Sequence, residues 1–504
     1  MVPFRPARVR WLAGAMLCLA AMAAPACAAV VGRIPWNEAP SGFRLLGDDR
    51  SALLSRLVAA DHATRSIDLQ TYIYDDDPTG RLVARHLLAA ADRGVRVRLL
   101  VDDLDASVSP ALFDALDAHP RIEVRLFNAF LTNRPSLVSK LGQFVIDGRR
   151  LNRRMHNKSF ISDGRVAIVG GRNIGDAYYD AGGDVRFRDL DLAAVGPVVA
   201  QATAAFETYW TCDAARPVSE LPPTGTRLDA LHALRRDLPS NAAAIPAGPA
   251  PETMPAEWPA DEASDTTHAW DWGPAALVAD EPEKAGEGRG GSALRIAPAV
   301  DALIASARHE VVLISAYFAP GDHGARYFED LARRGVALSL LTNSLAATDA
   351  PAVQAGYAEY RKPLLDAGIN LYELRPIAGV SPTAEAEHGP SRSPVSLHAK
   401  AAIVDRRYVF VGSMNMDLRS RLLNTEMGLI VDDPPLASAV YRYFRNAIQP
   451  QNAFHVVEAP DGALRWLGAD ATGAALSYDH EPDASWWRRI ETTVLGWLPI
   501  DELL

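Results

Sequence analysis

Residues 66–74 read SIDLQTYIY and residues 93–103 read RGVRVRLLVDD, with an Ala/Leu-rich segment between them. The same order returns later as VVLISAYF at 311–318, a similar segment, then RGVALSLLTNS at 334–344. Each copy runs from a β-branched and aromatic stretch through a helical pattern to a second apolar stretch. That order predicts a β-α-β unit with a buried, parallel sheet. A repeat of this period marks a duplication, and it sets the frame in which the remaining motifs are read.

Within that frame a second pattern occurs twice. The first copy is His156-x-Lys158-x4-Asp163, followed by VAIV (166–169) and the turn Gly170-Gly171-Arg172-Asn173. The second is His398-x-Lys400-x4-Asp405, followed by YVFV (408–411) and Gly412-Ser413-Met414-Asn415. An isolated His-x-Lys is usually a solvated strand edge; the full pattern H-x-K-x4-D-x6-G-[GS]-x-N, twice in a duplicated frame, is not.

Side chains two apart on a strand share a face, so His156 projects with Lys158 and His398 with Lys400. Two such pairs around one pocket suit phosphoryl transfer without a metal. One imidazole attacks phosphorus and the other protonates the departing oxygen. Lys158 and Lys400 neutralise the nonbridging oxygens, and Asn173 and Asn415, on the turns, are placed to donate hydrogen bonds to them. An imidazole needs its tautomer fixed, commonly by a carboxylate on its other nitrogen. Glu426 follows His398 in Asn424-Thr425-Glu426, and Asp189 holds the comparable place after His156, behind a longer Gly-rich loop. Asp163 and Asp405 close the motifs and are counted with the catalytic set, in a structural capacity: salt bridges or turn hydrogen bonds near the site.

Composition bounds the function classes. The chain has 504 residues and is 48% hydrophobic, enough for a large core and several domains. Its net charge of −11 argues against nonspecific nucleic-acid binding as the main task, which needs many phosphate-neutralising cations. Arg5, Arg8 and Arg10 precede a charge-free apolar stretch at 11–31, with Ala24-Pro25-Ala26 before Cys27. Residues 1–28 therefore read as a signal peptide or a membrane anchor, with lipid attachment at Cys27 a third option. All three place the body outside the cytoplasm, in the cell envelope at or near a membrane. Cys18, Cys27 and Cys212 form neither a disulfide framework nor a metal cluster, and Cys212 is a small core residue beside Tyr209 and Trp210. No metal or other cofactor is expected.

The halves are expected at 45–215 and 293–455, joined by a Pro/Ala-rich linker at 238–292 that cannot easily form a packed core. A tail at 456–504 mixes aromatics with cations, Trp486-Trp487-Arg488-Arg489 and then Trp497, a composition suited to a membrane interface or to packing on the domain.

With these motifs the chain resembles the phospholipase D superfamily over nearly all of residues 45–455. LNRRMHNKSF, VGGRNIGDAYY, DLDLAAVGPVV, LLTNSLAATD and SLHAKAAIVD look like the bacterial cardiolipin synthases of the C type. The resemblance implies an α/β fold of two α/β/α sandwich halves, related by a pseudo-two-fold axis and sharing one active site. It also implies phosphatidyl transfer through a phosphohistidine, with His156 the nucleophile by analogy, His398 the acid/base, and Asp189 and Glu426 orienting the histidines. One position departs: Gln354 stands where many relatives carry histidine, and acceptor choice would differ if that position reads a headgroup.

The leading reading is a membrane-bound phosphatidyltransferase that makes cardiolipin from phosphatidylglycerol, with phosphatidylethanolamine as donor. A phospholipase D that lets water resolve the intermediate, releasing phosphatidic acid, shares the same first step. A secreted nuclease would use the basic run Arg149-Arg150-Leu151-Asn152-Arg153-Arg154, although no nucleic-acid partner is expected. A noncatalytic binding module fits poorly, since both halves carry the full residue set.

Overall fold

The computed structural model describes residues 34–37, 39–103, 110–129, 151–182, 185–221, 226–238, 270–285, 295–376 and 394–495. The expectations for residues 1–28, for most of the linker, and for Arg149, Arg150 and Trp497 lie outside these residues.

The repeat becomes two sheets with the same internal order. In the first half, strands run across the sheet as 271–273, 41–46, 191–195, 166–170, 159–162, 66–71, 96–102, 122–127 and 215–217. In the second they run as 275–279, 427–432, 408–412, 400–404, 310–315, 337–343, 370–374 and 453–458, then 464–469 and 475–478. The predicted β-α-β unit is present in both, and its strands pair in parallel: Ile67 lies beside Val97, and Val311 beside Leu338. The helices Pro78–Asp92 and Gly321–Arg333 make the crossovers. Each is released into the next strand by the glycine of its RGV triplet: Gly94 and Gly335 take φ +97° and +87°, a conformation that a side chain disfavours.

Neither sheet is parallel throughout, which corrects the expectation. Strands 159–162, 166–170 and 191–195 add antiparallel to the free side of 66–71, and 400–404, 408–412 and 427–432 do the same beside 310–315. Hairpin turns too short for a crossover link the first two strands of each set, so an antiparallel return is the only one open to them.

The linker and tail boundaries also move. Residues 271–273 pair with the first half's edge strand, and 275–279 form an edge strand of the second half's sheet, so ordered structure occupies part of 238–292. The intervening Pro274 lets one short stretch leave one sheet and enter the other, and strands this short give little periodicity to read. In the tail, 464–469 and 475–478 extend the second sheet before helix Trp486–Leu495.

Among the described residues three apolar cores follow. One lies beneath the first half's helices 49–62, 78–92 and 110–117, and one beneath the second half's outer helices. The third lies between the halves and joins Ile161, Val169 and Leu192 to Ile403, Val411 and Leu429. Helices Val198–Trp210 and Pro434–Ala447 also pack here, each against the first strand of the opposite half. Truncating one of these leucines to alanine would cost roughly 2–5 kcal/mol, so the halves are held as one body. Cys212 is half-buried, and its thiol donates to the Tyr209 carbonyl.

Candidate active site

Two short exchanges of backbone between the halves build the site. In one, Met155 bridges Thr425 in parallel; Thr425 N donates to Arg154 O and His156 N to Thr425 O, both at 2.9 Å. In the other, strand 186–188 pairs with 395–397, and His398 N donates to Arg188 O at 2.8 Å. Each half thus lays the residues before its carboxylate against the residues before the other half's histidine. That reciprocity is what a two-fold relation requires.

The consequence is crossed pairing. His156 Nδ1 meets Glu426 Oε2 at 2.9 Å, and His398 Nδ1 meets Asp189 Oδ2 at 2.6 Å. Both carboxylates orient histidines, but each orients the histidine of the other half. With Nδ1 engaged, Nε2 is the nitrogen that each ring could offer to a substrate.

Lys158 and Lys400 are buried beside them, and each ammonium donates to the carbonyl of the histidine two residues earlier, His156 and His398. Lys158 Nζ lies 5.2 Å from the Tyr72 ring centre and Lys400 Nζ 5.8 Å from that of Tyr317. Tyr72 stands edge-on to His156 at 5.0 Å, while Tyr178 and Phe187 flank His398 at 5.2 and 5.1 Å.

Burial sets the electrostatics. It pulls His156 down to about 4, with Lys158 and Lys400 adding to the effect and Glu426 opposing it. It likewise drives His398 well below the usual imidazole range, helped by Lys400, Lys158 and His156 itself, so charges of both halves act on one ring. Both lysines are lowered by the same loss of water. The carboxylates differ. Burial pushes Asp189 up to about 7 against the pull of Lys400 and Arg172. Burial would also raise Glu426, but His156, Lys158 and the Ser413 hydroxyl, which donates to Oε2 at 2.5 Å, hold it below the ordinary value.

The remaining candidates divide. Asn173 and Asn415 are buried, and their carboxamide oxygens accept from Ile73 N (3.2 Å) and Tyr317 N (3.3 Å). One N–H of Asn173 goes to Tyr178 Oη at 2.7 Å, so both asparagines brace the loops that carry the aromatic walls. Asp163 and Asp405 sit at the far end of the histidine strands, on turns with φ +55° and +51°. Asp163 accepts from Thr64, Arg65 and Ser66 N, and Asp405 from Arg308, His309 and Glu310 N, at 2.7–2.9 Å. They form turn hydrogen bonds, the structural capacity expected of them, at the end of each strand away from its histidine. The strand's length separates the two ends of the motif. Gln354 is buried as well: with its amide placed to suit its neighbours, it accepts from Arg361 (2.7 Å) and donates to Asn343 O (3.2 Å). It ties helix 351–358 into the core, which leaves its reading as a headgroup contact without support.

Sequence reasoning missed several neighbours. Tyr72, Tyr178 and Tyr317 lie inside the quoted runs, but an aromatic just past a strand or in a short helical turn reads as core. Asp280 gives no signal: from within the supposed linker its Oδ2 accepts from Glu426 N at 3.1 Å and pairs with Lys284 at 2.6 Å.

A duplicated α/β protein that crosses two His–carboxylate pairs over a buried pair of lysines is of the two-histidine phosphodiester-handling class. A family model described as cardiolipin synthase, phospholipase D-like domain, matches residues 57–210 and 300–448. The chain belongs to that family, within the phospholipase D superfamily. It is 38% identical over 472 residues to cardiolipin synthase C of Escherichia coli (strain K12), covering 90% of this chain and 94% of that protein. Cardiolipin synthase B of Salmonella typhimurium is 28% identical over 385 residues, 74% of this chain and 72% of that one. Among solved structures, the phosphatidylserine synthase of Haemophilus influenzae aligns over 95% of this chain and 98% of that one, with a TM-score of 0.59 at 14% identity, which bears on the fold alone.

Proposed function

We propose that this protein is a phosphatidyltransferase that forms cardiolipin from phosphatidylglycerol, taking the phosphatidyl group from phosphatidylethanolamine. The observation that carries the reading is the crossed pairing of His156 with Glu426 and of His398 with Asp189 around Lys158 and Lys400. The likeness to cardiolipin synthase C supports the lipid class.

His156 Nε2 attacks the donor phosphorus while the bond from phosphorus to the ethanolamine oxygen breaks. His398 delivers a proton to that oxygen, and ethanolamine leaves. His398 then takes the proton from a glycerol hydroxyl of phosphatidylglycerol. The hydroxyl oxygen attacks the phosphohistidine, the P–N bond breaks, and cardiolipin is released with both histidines restored. Lys158 and Lys400 hold the nonbridging oxygens through both steps, with Asn173 and Asn415 adding hydrogen bonds to them.

The inequality of the carboxylates supports these roles. With Asp189 pushed up to about 7 and Glu426 held low, the Asp189–His398 pair keeps an extra proton until pH rises to about neutrality, whichever atom bears it, and the Glu426–His156 pair does not. A pair that already holds the extra proton is suited to act as the acid, and the other to be the nucleophile. Both histidine side chains are at most 9% exposed, which shields the intermediate from water and favours a lipid hydroxyl as acceptor. Of the basic run, Arg154 is buried against Asp102 and so is no contact for a nucleic-acid backbone. The Arg-led apolar stretch at 11–31 supports a location in the cell envelope, on the periplasmic face of a membrane.

The test gives purified protein phosphatidylglycerol with and without phosphatidylethanolamine and identifies products by mass spectrometry. Cardiolipin that depends on phosphatidylethanolamine is expected. Phosphatidic acid alone would sink the transferase in favour of the hydrolase, and cardiolipin without phosphatidylethanolamine would remove the donor.

A further inference from the structure

Helix Trp486–Leu495 is one of the last described elements, and its outer face is apolar. Trp486, Trp487, Ile490 and Val494 are 57%, 64%, 44% and 46% exposed. At helical spacing these four positions fall within about 100° of one another. The two indoles stack on each other, with ring centres 3.8 Å apart. On the opposite side Thr492 is buried, Arg488 donates to Thr348 O, and Arg489 donates to Glu481 O at 2.9 Å. The helix is therefore fixed on helix 351–358, with its apolar stripe outward.

Its position relates it to the catalytic centre. Next to Thr348, Asp349 accepts from the Tyr317 hydroxyl at 2.7 Å, and the Tyr317 ring lies beside Lys400. A chain of contacts, Arg488 to Thr348, Asp349 to Tyr317 and Tyr317 to Lys400, thus links the helix to the reacting groups.

We propose that helix 486–495 docks on a phospholipid bilayer and seats the mouth of the active site on it; this rests on the lipid reading above. Tryptophan suits the level where headgroups meet acyl chains, since its ring is apolar and its N–H polar. A ten-residue helix with an apolar stripe flanked by Arg489 and Glu491 can lie in that layer and is too short to cross it. A second copy is a poorer occupant: four half-exposed side chains cannot supply the roughly 800 Å² per partner of a stable interface. The sequence continues Gly496-Trp497-Leu498-Pro499-Ile500, of the same apolar character.

The test uses the full chain and its Trp486→Ala/Trp487→Ala double variant, with Ile490→Gln as a second variant. Vesicles of phosphatidylglycerol and phosphatidylethanolamine with brominated acyl chains quench tryptophans that enter the bilayer, whatever else anchors the protein. Wild-type fluorescence should be quenched, and the double variant should lose most of that quenching. Turnover on vesicles should fall at least about tenfold. Turnover of short-chain phosphatidylethanolamine and phosphatidylglycerol, kept monomeric in solution, should change less than about twofold. Equal quenching and equal vesicle turnover in all three proteins would overturn the docking role. So would a wild-type dimer that the double variant converts to monomer with vesicle turnover unchanged. If no protein turns over either lipid form, the transferase reading falls instead, and the quenching comparison alone decides the docking.

Discussion

Glu426 Oε2 lies 2.9 Å from His156 Nδ1, so the carboxylate that fixes the first half's histidine belongs to the second half. Because Asp189 returns the exchange to His398, neither half holds a complete acid or a complete nucleophile. Replacing Glu426 by glutamine keeps the shape but lets an N–H face Nδ1 and favours the wrong tautomer. Glu426→Gln should lower kcat by roughly 10²–10⁴, with little change in thermal midpoint. A loss below tenfold in steady-state assays of the folded variant would remove the orienting role.

In the proposed mechanism the two histidines act on one phosphorus. His156→Ala and His398→Ala should each cost several orders of magnitude in kcat, and the double variant should be little worse, because groups that act as a unit are not additive. Single-turnover assays with labelled donor should trap a phosphatidyl-enzyme in His398→Ala and none in His156→Ala. The reverse pattern would exchange their roles.

The titrations give the pH profile its limbs. His156 must be neutral to attack, and burial keeps it so down to about 4. The proton shared by Asp189 and His398 is lost through about 7. A plot of kcat/KM against pH should therefore fall below about 4 and above about 7. Asp189→Asn should displace the alkaline limb, and Glu426→Gln should leave it. Stability moves separately: the unfolded chain protonates His156 from about 6.5, so that residue withdraws stability as pH falls towards 4. Asp189, raised in the fold, adds stability at low pH that is lost as pH rises through about 7.

The histidines and lysines were legible because a strand's two-residue period and a duplicated frame are both properties of the chain itself. The crossing was not. Glu426 and Asp189 stand at equivalent points after their own histidines, and nothing in that spacing says which ring either will meet; the 186–188 with 395–397 pairing decides it. The β-α-β strands announced themselves as apolar runs, whereas 271–273 and 275–279 are too short and too close to Pro274 to show a period. Asp163 closes the motif in a structural capacity, and a strand carries it away from His156. The motif is thus a statement about one strand and its turn as much as about chemistry.

That division is measurable. Asp163 gathers three backbone N–H groups at the entry to strand 66–71, and these outweigh its partial burial and hold its carboxyl below the usual range. Asp163→Ala should cost roughly 1–3 kcal/mol of stability, read as a shift in denaturant midpoint. The folded protein should keep kcat within a few fold, and Asp405→Ala should behave alike.

Gly171 offers the converse case, a site with no functional group of its own. It packs directly against the Asp189 carboxylate, and a Cβ built there overlaps Oδ1 and Oδ2. Asp189 is fully buried and receives the Leu190 N–H at 2.7 Å, so it cannot swing aside without leaving His398 Nδ1. Gly171→Ala should therefore lower kcat at least tenfold, since a displacement of about 1 Å at a positioning group can cost about 10²-fold. Gly171→Ala and Asp189→Asn disable the same contact. The double variant should be no slower than the slower single one, and additive losses would mean that the glycine serves the site by another route.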